Sequence, residues 1–295
     1  MAITILDGGM GGEISARIDG AGHGLWSAKA LIDAPQIVQE IHREYIEAGA
    51  RIITTNTYAT IPSYLGKEGM QDQYLEYTRL AGEIARRAVT ESGRTDVRVA
   101  GSLPPLSESF RPDLAPPASE AQPIYQSLVN ALNPFVDLFI CETMSTAEEA
   151  FNAASQAILY GGSRPVFVSW TLSETPGTGL RSGESIATAY ERLSSLDVTG
   201  YMLNCTSPEA IVAGLKELHA LTDKTIGCYA NRIHKVPAGW TLDNNIYAGR
   251  RTDVTTDYFV DMCIKCADAG ATIIGGCCGI GPTDIKALSD QIGPA

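Results

Sequence analysis

Two adjacent cysteines set between glycines, Gly275-Gly276-Cys277-Cys278-Gly279, follow the apolar run Ala271-Thr272-Ile273-Ile274 late in the chain. Thiolates are soft ligands, and a catalytic zinc site combines three protein ligands with one open position. Successive residues on a regular strand point to opposite faces, so Cys277 and Cys278 can converge on one ion only where the backbone leaves the strand. The flanking glycines permit such a turn. A third thiol is available in Tyr201-Met202-Leu203-Asn204-Cys205, again just past an apolar run. The expectation is a zinc ion held by Cys205, Cys277 and Cys278 with a fourth position open. The plain alternative is three buried core thiols, a common fate for cysteine.

Other polar residues follow apolar runs in the same way. Asp7 leads into Gly8-Gly9-Met10-Gly11-Gly12-Glu13, Asn56-Thr57-Tyr58 follows Ile52-Ile53-Thr54-Thr55, and Glu142-Thr143-Met144 follows Phe139-Ile140-Cys141. The glycine stretch fits backbone approaching a ligand, or an ordinary turn with Asp7 bonded to its own backbone. It lacks the GxGxxG spacing of a dinucleotide loop. For Glu142 the rival reading is an acid placed at a helix N-terminus. The histidines are poorer ligand candidates: His42 and His219 fall within predicted helices, half exposed, and His23 and His234 in loops. Cys263-x-x-Cys266 falls within a predicted helix on the outside, so its likeness to a redox motif carries little weight.

These residues are positioned by a repeating pattern. Predicted strands at 3–6, 51–55, 97–101, 136–141, 165–170, 200–203, 225–229 and 271–274 alternate with helices at 35–49, 72–92, 120–132, 146–160, 184–194, from 207, 255–269 and 282–292. Pro35 and Pro208 open two of the helices, and Ser207 is expected to cap the second. Trp26 and Ser27 are assigned to a loop. Five prolines between Pro104 and Pro117 mark an ordered, irregular connection. A long loop through Trp240 and Tyr247 has the length of a functional lid. Eight strand-helix units predict a closed (β/α)8 TIM barrel, with residues 1–295 forming one domain. In that fold the strand carboxyl ends form the active face. Asp7, Asn56, Glu142, Cys205, Asn231, Cys277 and Cys278 all fall there.

Composition narrows the function class. A net charge of −12 without a Lys or Arg cluster argues against nucleic-acid or anionic-membrane surfaces, and points to small-molecule work. Hydrophobic residues make up 44% and charged residues 19%, enough for a large core, yet no apolar run is long enough to span a membrane. An odd count of seven cysteines fits thiols in a reducing compartment, and the start lacks signal-peptide character. A cytoplasmic location is expected.

The motifs Asp7-Gly8-Gly9-Met10, Leu25-Trp26-Ser27-Ala28-Lys29, Gly49-Ala50 leading into Asn56-Thr57-Tyr58, Cys141-Glu142-Thr143, Asn204-Cys205 and Gly275-Gly276-Cys277-Cys278-Gly279 together resemble the homocysteine S-methyltransferase family. The resemblance runs in order over essentially the whole chain. It is nearest to members using S-methylmethionine or S-adenosylmethionine, and extends to the betaine enzymes and to the homocysteine module of cobalamin-dependent methionine synthase. It implies catalytic zinc on Cys205, Cys277 and Cys278, with the homocysteine sulfur at the open position and methionine as product. It also implies homocysteine's ammonium on Glu142 and Asp7, its carboxylate on backbone N–H groups such as those of Gly8 and Gly9, and substrate contacts from Asn56, Tyr58, Trp26 and Asn204. A cationic donor would suit aromatic faces, with Trp26, Tyr58, Trp170 and Trp240 as nominees. Thr143 stands where the betaine enzymes carry an aromatic residue, and no folate- or cobalamin-binding region is expected after the barrel. Rival readings are a methyltransferase for another thiol or selenol, one fed by a corrinoid protein, and a non-catalytic barrel with a structural metal. The methyl donor and oligomeric state are left open by the sequence.

Overall fold

The computed structural model describes residues 2–18, 26–236, 239–241 and 249–293. His23, residues 242–248 with Tyr247, and the side chain of Trp26 lie outside the described residues. The described elements run β1 (Thr4–Ile5), α1 (Met10–Arg17), α2 (Trp26–Asp33), α3 (Pro35–Glu47), β2 (Ile52–Thr54), α4 (Pro62–Gly66), α5 (Tyr74–Glu91) and β3 (Arg98–Leu103). They continue with α6 (Ala118–Leu132), β4 (Leu138–Met144), α7 (Ala147–Tyr160), β5 (Val166–Trp170), α8 (Ile186–Arg192) and β6 (Gly200–Asn204). The last are α9 (Pro208–His219), β7 (Thr225–Ala230), α10 (Thr256–Asp268), β8 (Ile273–Gly276) and α11 (Pro282–Ile292).

All eight strands pair in parallel, in the order β1-β8-β7-β6-β5-β4-β3-β2. The remaining gap is bridged where Leu6 pairs with Ile52, Arg51 N–H donates to Ile5 O at 2.8 Å and Asp7 N–H donates to Ile52 O at 3.0 Å. The TIM-barrel expectation is met, with the helices outside.

Strand periodicity sorts the core into two layers. Leu6, Ile52, Ala100, Leu138, Ile140, Phe167, Met202, Tyr229 and Ile273 fill the barrel interior. Alternate residues such as Phe139, Cys141, Val168, Tyr201, Leu203 and Cys228 face the helices. Two places further along, the inward row turns polar: Ser102, Glu142, Ser169 and Asn204 stand at the carboxyl end of the sheet.

Local corrections to the sequence reading have identifiable causes. Of the glycine stretch read as a ligand approach or a turn, Gly8 and Gly9 stay outside the helix, while Met10 to Glu13 wind into α1, because Ile14 is fully buried and Arg17 pairs with Glu13 and Glu44. Packing here overrides the weak helix propensity of glycine. Trp26 and Ser27 begin α2 rather than lying in a loop. His42, expected half exposed, is fully buried in α3 without a hydrogen-bond partner among the described residues, and burial pushes its pKa down to about 4. Ser207 occupies the N-cap position of α9, yet its side chain makes no cap bond; its N–H donates to Glu174 instead. Strand β8 starts two residues later than expected and takes in both glycines.

Candidate functional site

Because β8 ends at Gly276, Cys277 and Cys278 both lie in the turn beyond it, free of strand alternation. Cys277 N–H still donates to Ala230 O at the end of β7, at 2.8 Å, and Ile280 N–H donates back to Cys277 O at 3.1 Å. Gly279 takes φ = 80°, the left-handed conformation that reverses the chain at little cost. Gly9 matters through what it lacks: a Cβ there would stand 2.7 Å from Cys277 O. The Tyr45 hydroxyl ties the two segments together, donating to the carbonyls of Gly9 and Ile280 at 3.1 Å each. On the far side Arg232 N–H donates to Cys278 O at 2.7 Å, while its guanidinium pairs with buried Asp284 at 2.6 Å. Asp284 also caps α11 through Gly281 N–H. The turn is thereby clamped from β1, α3, α11 and the β7 connection.

Cys205 follows β6 with φ = 51°, held by its N–H to Tyr229 O at 3.1 Å. The left-handed backbone turns its thiol toward the other two. The sulfurs of Cys205, Cys277 and Cys278 all lie within 4.8 Å of one another, with Cys205 and Cys278 3.9 Å apart. Four ligands at tetrahedral angles and ~2.3 Å from a zinc ion would be separated by about 3.8 Å, so the donor set fits. Cys278 is held well below the ordinary thiol range, first by a hydrogen bond from Cys205 and then by one from Cys277. Cys277 is pushed well up by donating to Cys205 and Cys278 and by burial. Cys205 accepts from Cys277, yet donation to Cys278 and burial raise it. Among the described residues no further His, Cys, Asp or Glu side chain joins the group.

Two carboxyl groups stand over the same end. Asp7 is buried, accepting from Thr54 N–H at 2.7 Å and Thr54 Oγ1 at 3.0 Å. Burial pushes its pKa up to about 8 against those bonds, with the Glu142 charge adding to the rise. Glu142 sits at a bulge in β4, where pairing with β5 slips between Cys141 and Met144. It lies inside a strand, which removes the helix-terminus reading. Ser102 Oγ and the Tyr229 hydroxyl donate to its two oxygens, and burial raises its pKa to about 7.

The other predicted site residues divide. Asn204 is fully buried and its amide is engaged by protein: Oδ1 accepts from Thr143 N–H at 2.9 Å and Ser169 Oγ at 2.7 Å, and Nδ2 donates to Thr143 Oγ1 at 2.8 Å. It holds Thr143 at φ = 61°, and with it the bulge that presents Glu142. Asn56 donates to Ser27 O at 2.9 Å, joining the end of β2 to α2. Gly9 N–H donates to Ile280 O at 2.9 Å, so that donor is already used. Tyr58 stands at the mouth, its hydroxyl 2.6 Å from Ser109 Oγ. Trp170 does not reach the mouth: it is fully buried and stacked on Tyr201 at 5.5 Å, on the helix side of the sheet. Trp240 lies beside Phe110, ring centroids 5.9 Å apart. Tyr229, Ser102 and Ser169 were missed. Strand parity carried the signal, since each occupies an inward position one pleat beyond an interior core residue or within that row.

Residues 4–292 match the family model described as homocysteine S-methyltransferase. The chain is 29% identical to the homocysteine S-methyltransferase of Escherichia coli, across 97% of this chain and 94% of that protein. It is 27% identical to a selenocysteine Se-methyltransferase of Brassica oleracea var. italica, across 98% and 88%. Its structure superposes on the metallated form of the homocysteine methyltransferase MmuM from Escherichia coli with a TM-score of 0.83, at 27% identity, covering 99% of this chain and 96% of that one.

Proposed function

The chain belongs to the homocysteine S-methyltransferase family, and from that premise we propose that it moves a methyl group from a sulfonium donor to the thiol of homocysteine, forming methionine. The observation that carries this reading is the convergence of three thiols at the barrel mouth, with no fourth such ligand among the described residues, below two carboxyl groups. We assign the metal as zinc, held by Cys205, Cys277 and Cys278, since an all-sulfur set with an open position suits that ion. When bound, the ion supplies a positive centre that holds the acceptor sulfur as thiolate near neutral pH, against a free thiol pKa of about 8.5.

The chain's own residues supply the rest. Asp7 and Glu142, with pKa values raised to about 8 and about 7, retain much of their protonation at neutral pH. An arriving ammonium group replaces those protons and binds between the carboxylates, so substrate binding releases protons. Ser102 and Tyr229 fix Glu142, Thr54 fixes Asp7, and Asn204 sets the bulge. The acceptor sulfur then attacks the donor methyl carbon; the carbon–sulfur bond of the sulfonium breaks, and its electron pair leaves on a neutral thioether. Aromatic side chains at the mouth offer faces to the sulfonium charge.

The test is methionine formation by zinc-loaded protein given homocysteine with S-methylmethionine, S-adenosylmethionine, betaine or dimethylsulfoniopropionate. Turnover with a sulfonium supports the reading. Absence of turnover with every donor, while homocysteine still alters the spectrum of a cobalt-substituted site, moves the methyl source to a partner such as a corrinoid protein. Likeness to the selenocysteine enzymes adds a second acceptor class, so selenocysteine and selenohomocysteine belong in the same assay.

A further inference from the structure

The connection between β5 and α8 folds back on itself: Leu172 pairs with Leu180 and Ser173 N–H donates to Gly179 O at 2.9 Å. It is anchored at two strand ends, through Arg181 N–H to Thr171 O and Ser182 N–H to Ser145 O. This places Arg181 beside the thiol cluster. Thr171 Oγ1 donates to Cys205 O, and Glu174, the ion-pair partner of Arg181 at 2.7 Å, accepts the N–H of Ser207. The positive charge of Arg181 is felt at the Cys205 sulfur. The side chains of Arg181 and Glu174 are only 11% and 14% exposed.

Three features mark this guanidinium as more than half of an ion pair. Only one nitrogen, Nη2, reaches Glu174, and Nε–H is buried without an acceptor among the described residues. A buried donor left without a partner is costly, and a guanidinium fork matches a carboxylate. Its face is covered by Phe110, whose ring centroid lies 4.5 Å away and whose backbone takes φ = 63°. A phenylalanine rarely adopts that left-handed conformation without a packing reason. Phe110 in turn meets Trp240, and its neighbour Ser109 holds the Tyr58 hydroxyl. Connections after β2, β3, β5 and β7 thus build an aromatic wall around one cation, next to Cys205.

We propose that Arg181 is the carboxylate receptor of the methyl-donor subsite, so that the protein selects sulfonium donors carrying a carboxylate a few bonds from the sulfur. This rests on the function proposed above. The aromatic faces accept the sulfonium and Arg181 takes the anionic end. Asp7 and Glu142, which suit an ammonium, belong to the acceptor. A carboxylate from homocysteine would satisfy the same guanidinium, and the experiment separates the two sources.

Zinc-loaded wild type, Arg181→Met and Arg181→Lys are assayed at saturating homocysteine with S-methylmethionine and with trimethylsulfonium, which has no carboxylate. For S-methylmethionine, kcat/KM is expected to fall roughly 10- to 100-fold in Arg181→Met, mainly through KM, as for loss of a hydrogen bond to a charged group. For trimethylsulfonium it changes by no more than about twofold, and Arg181→Lys recovers part of the loss. Equal losses with both donors would reduce Arg181 to a structural residue. A rise in the KM for homocysteine in place of the donor's would assign the acceptor carboxylate to Arg181 and overturn the proposal. Where Arg181→Met fails to fold, Arg181→Lys and the wild-type preference for S-methylmethionine over trimethylsulfonium decide; no preference overturns it. If wild type turns over neither donor, that result bears on the functional reading and not on the subsite. Calorimetric titration of both sulfoniums into wild type and Arg181→Lys then tests the subsite, and equal affinities count against it.

Discussion

The chain carries two groups of cysteines with opposite fates. Cys205, Cys277 and Cys278 meet at the barrel mouth, whereas Cys141, Cys228, Cys263 and Cys266 are buried in the layer between sheet and helices. Within a strand, parity separates them: Cys141 and Cys228 occupy outward positions of β4 and β7, one residue from the inward Glu142 and Tyr229. Off the strand, a left-handed residue or a glycine turn frees a thiol from parity, as at Cys205 and Gly279. In the core group every resolved thiol pKa is raised, at Cys141 and Cys263 first by burial and at Cys228 first by its hydrogen bond with Cys266; in the mouth group Cys278 alone is lowered, by its neighbours' hydrogen bonds. Cysteine chemistry here is therefore decided by backbone conformation at the strand end.

The strongest way to break the contrast is to remove one mouth thiol. Cys205→Ser, Cys277→Ser or Cys278→Ser should each abolish stoichiometric zinc binding, and cost activity beyond the ~10- to 100-fold typical of outer-sphere changes. Metal analysis after dialysis, alongside circular dichroism for the fold, checks this. A variant retaining one zinc per chain removes its residue from the ligand set.

A smaller but still large effect is expected one layer away. Asn204→Ala leaves Thr143 N–H and Ser169 Oγ without their acceptor inside the barrel. Two orphaned buried donors cost about 1–3 kcal/mol each. The relaxed bulge should lower kcat/KM for homocysteine by roughly 10- to 100-fold, while zinc stays bound. Urea unfolding and steady-state kinetics read the two effects. Unchanged kinetics in a folded variant would show that Glu142 is presented without the clamp.

The acids differ from the thiols in their pH signature. Asp7 is raised from 3.8 to about 8 in the folded protein. Between those values the folded state keeps a proton that the unfolded state has released, so stability falls as pH rises across that window and levels off above it. At about 1.4 kcal/mol per unit, the full span is on the order of several kcal/mol. Asp7→Asn should remove the share of that slope that Asp7 contributes in metal-free protein, while Glu142 and Glu149, both raised to about 7, keep theirs up to that pH. It should also weaken homocysteine binding. Urea midpoints from pH 4.5 to 8.5 test this, and an Asn variant with the wild-type slope counts against an Asp7 carboxyl that stays protonated.

Much of this was legible in the sequence because the signals were periodic or local. Alternating strand and helix patterns gave the barrel, and apolar runs ending in Asp7, Glu142, Cys205 and Cys277 placed each near the carboxyl end of the sheet. What escaped depends on contacts distant in sequence. Asn204 read as a ligand alone, yet its amide also braces the bulge, through partners from β4 and β5. Trp170 read as a mouth aromatic and faces the helices, since its parity opposes that of Ser169. The helix over the glycines of α1 depends on burying Ile14 and pairing Arg17 with Glu44, neither of which local propensity contains. Arg232 and Asp284 are 52 residues apart and drew no notice, yet their buried pair braces the cysteine turn.

The smallest expected effect is the most discriminating control. Cys228 faces α10, where its thiol interacts with Cys266 and is pushed well up, first by that hydrogen bond and then by burial. If it is only core, Cys228→Ala should cost roughly 1 kcal/mol or slightly more for the lost packing, and leave zinc content and turnover at wild-type values. Cys228→Ser should cost more than Ala despite its closer shape, because a hydroxyl needs a partner that a thiol can forgo. Urea unfolding of the zinc-loaded variants orders the two. Serine proving as stable as wild type would mean the site offers a good acceptor, and the division into a polar mouth group and an apolar core group would be less sharp than parity implies.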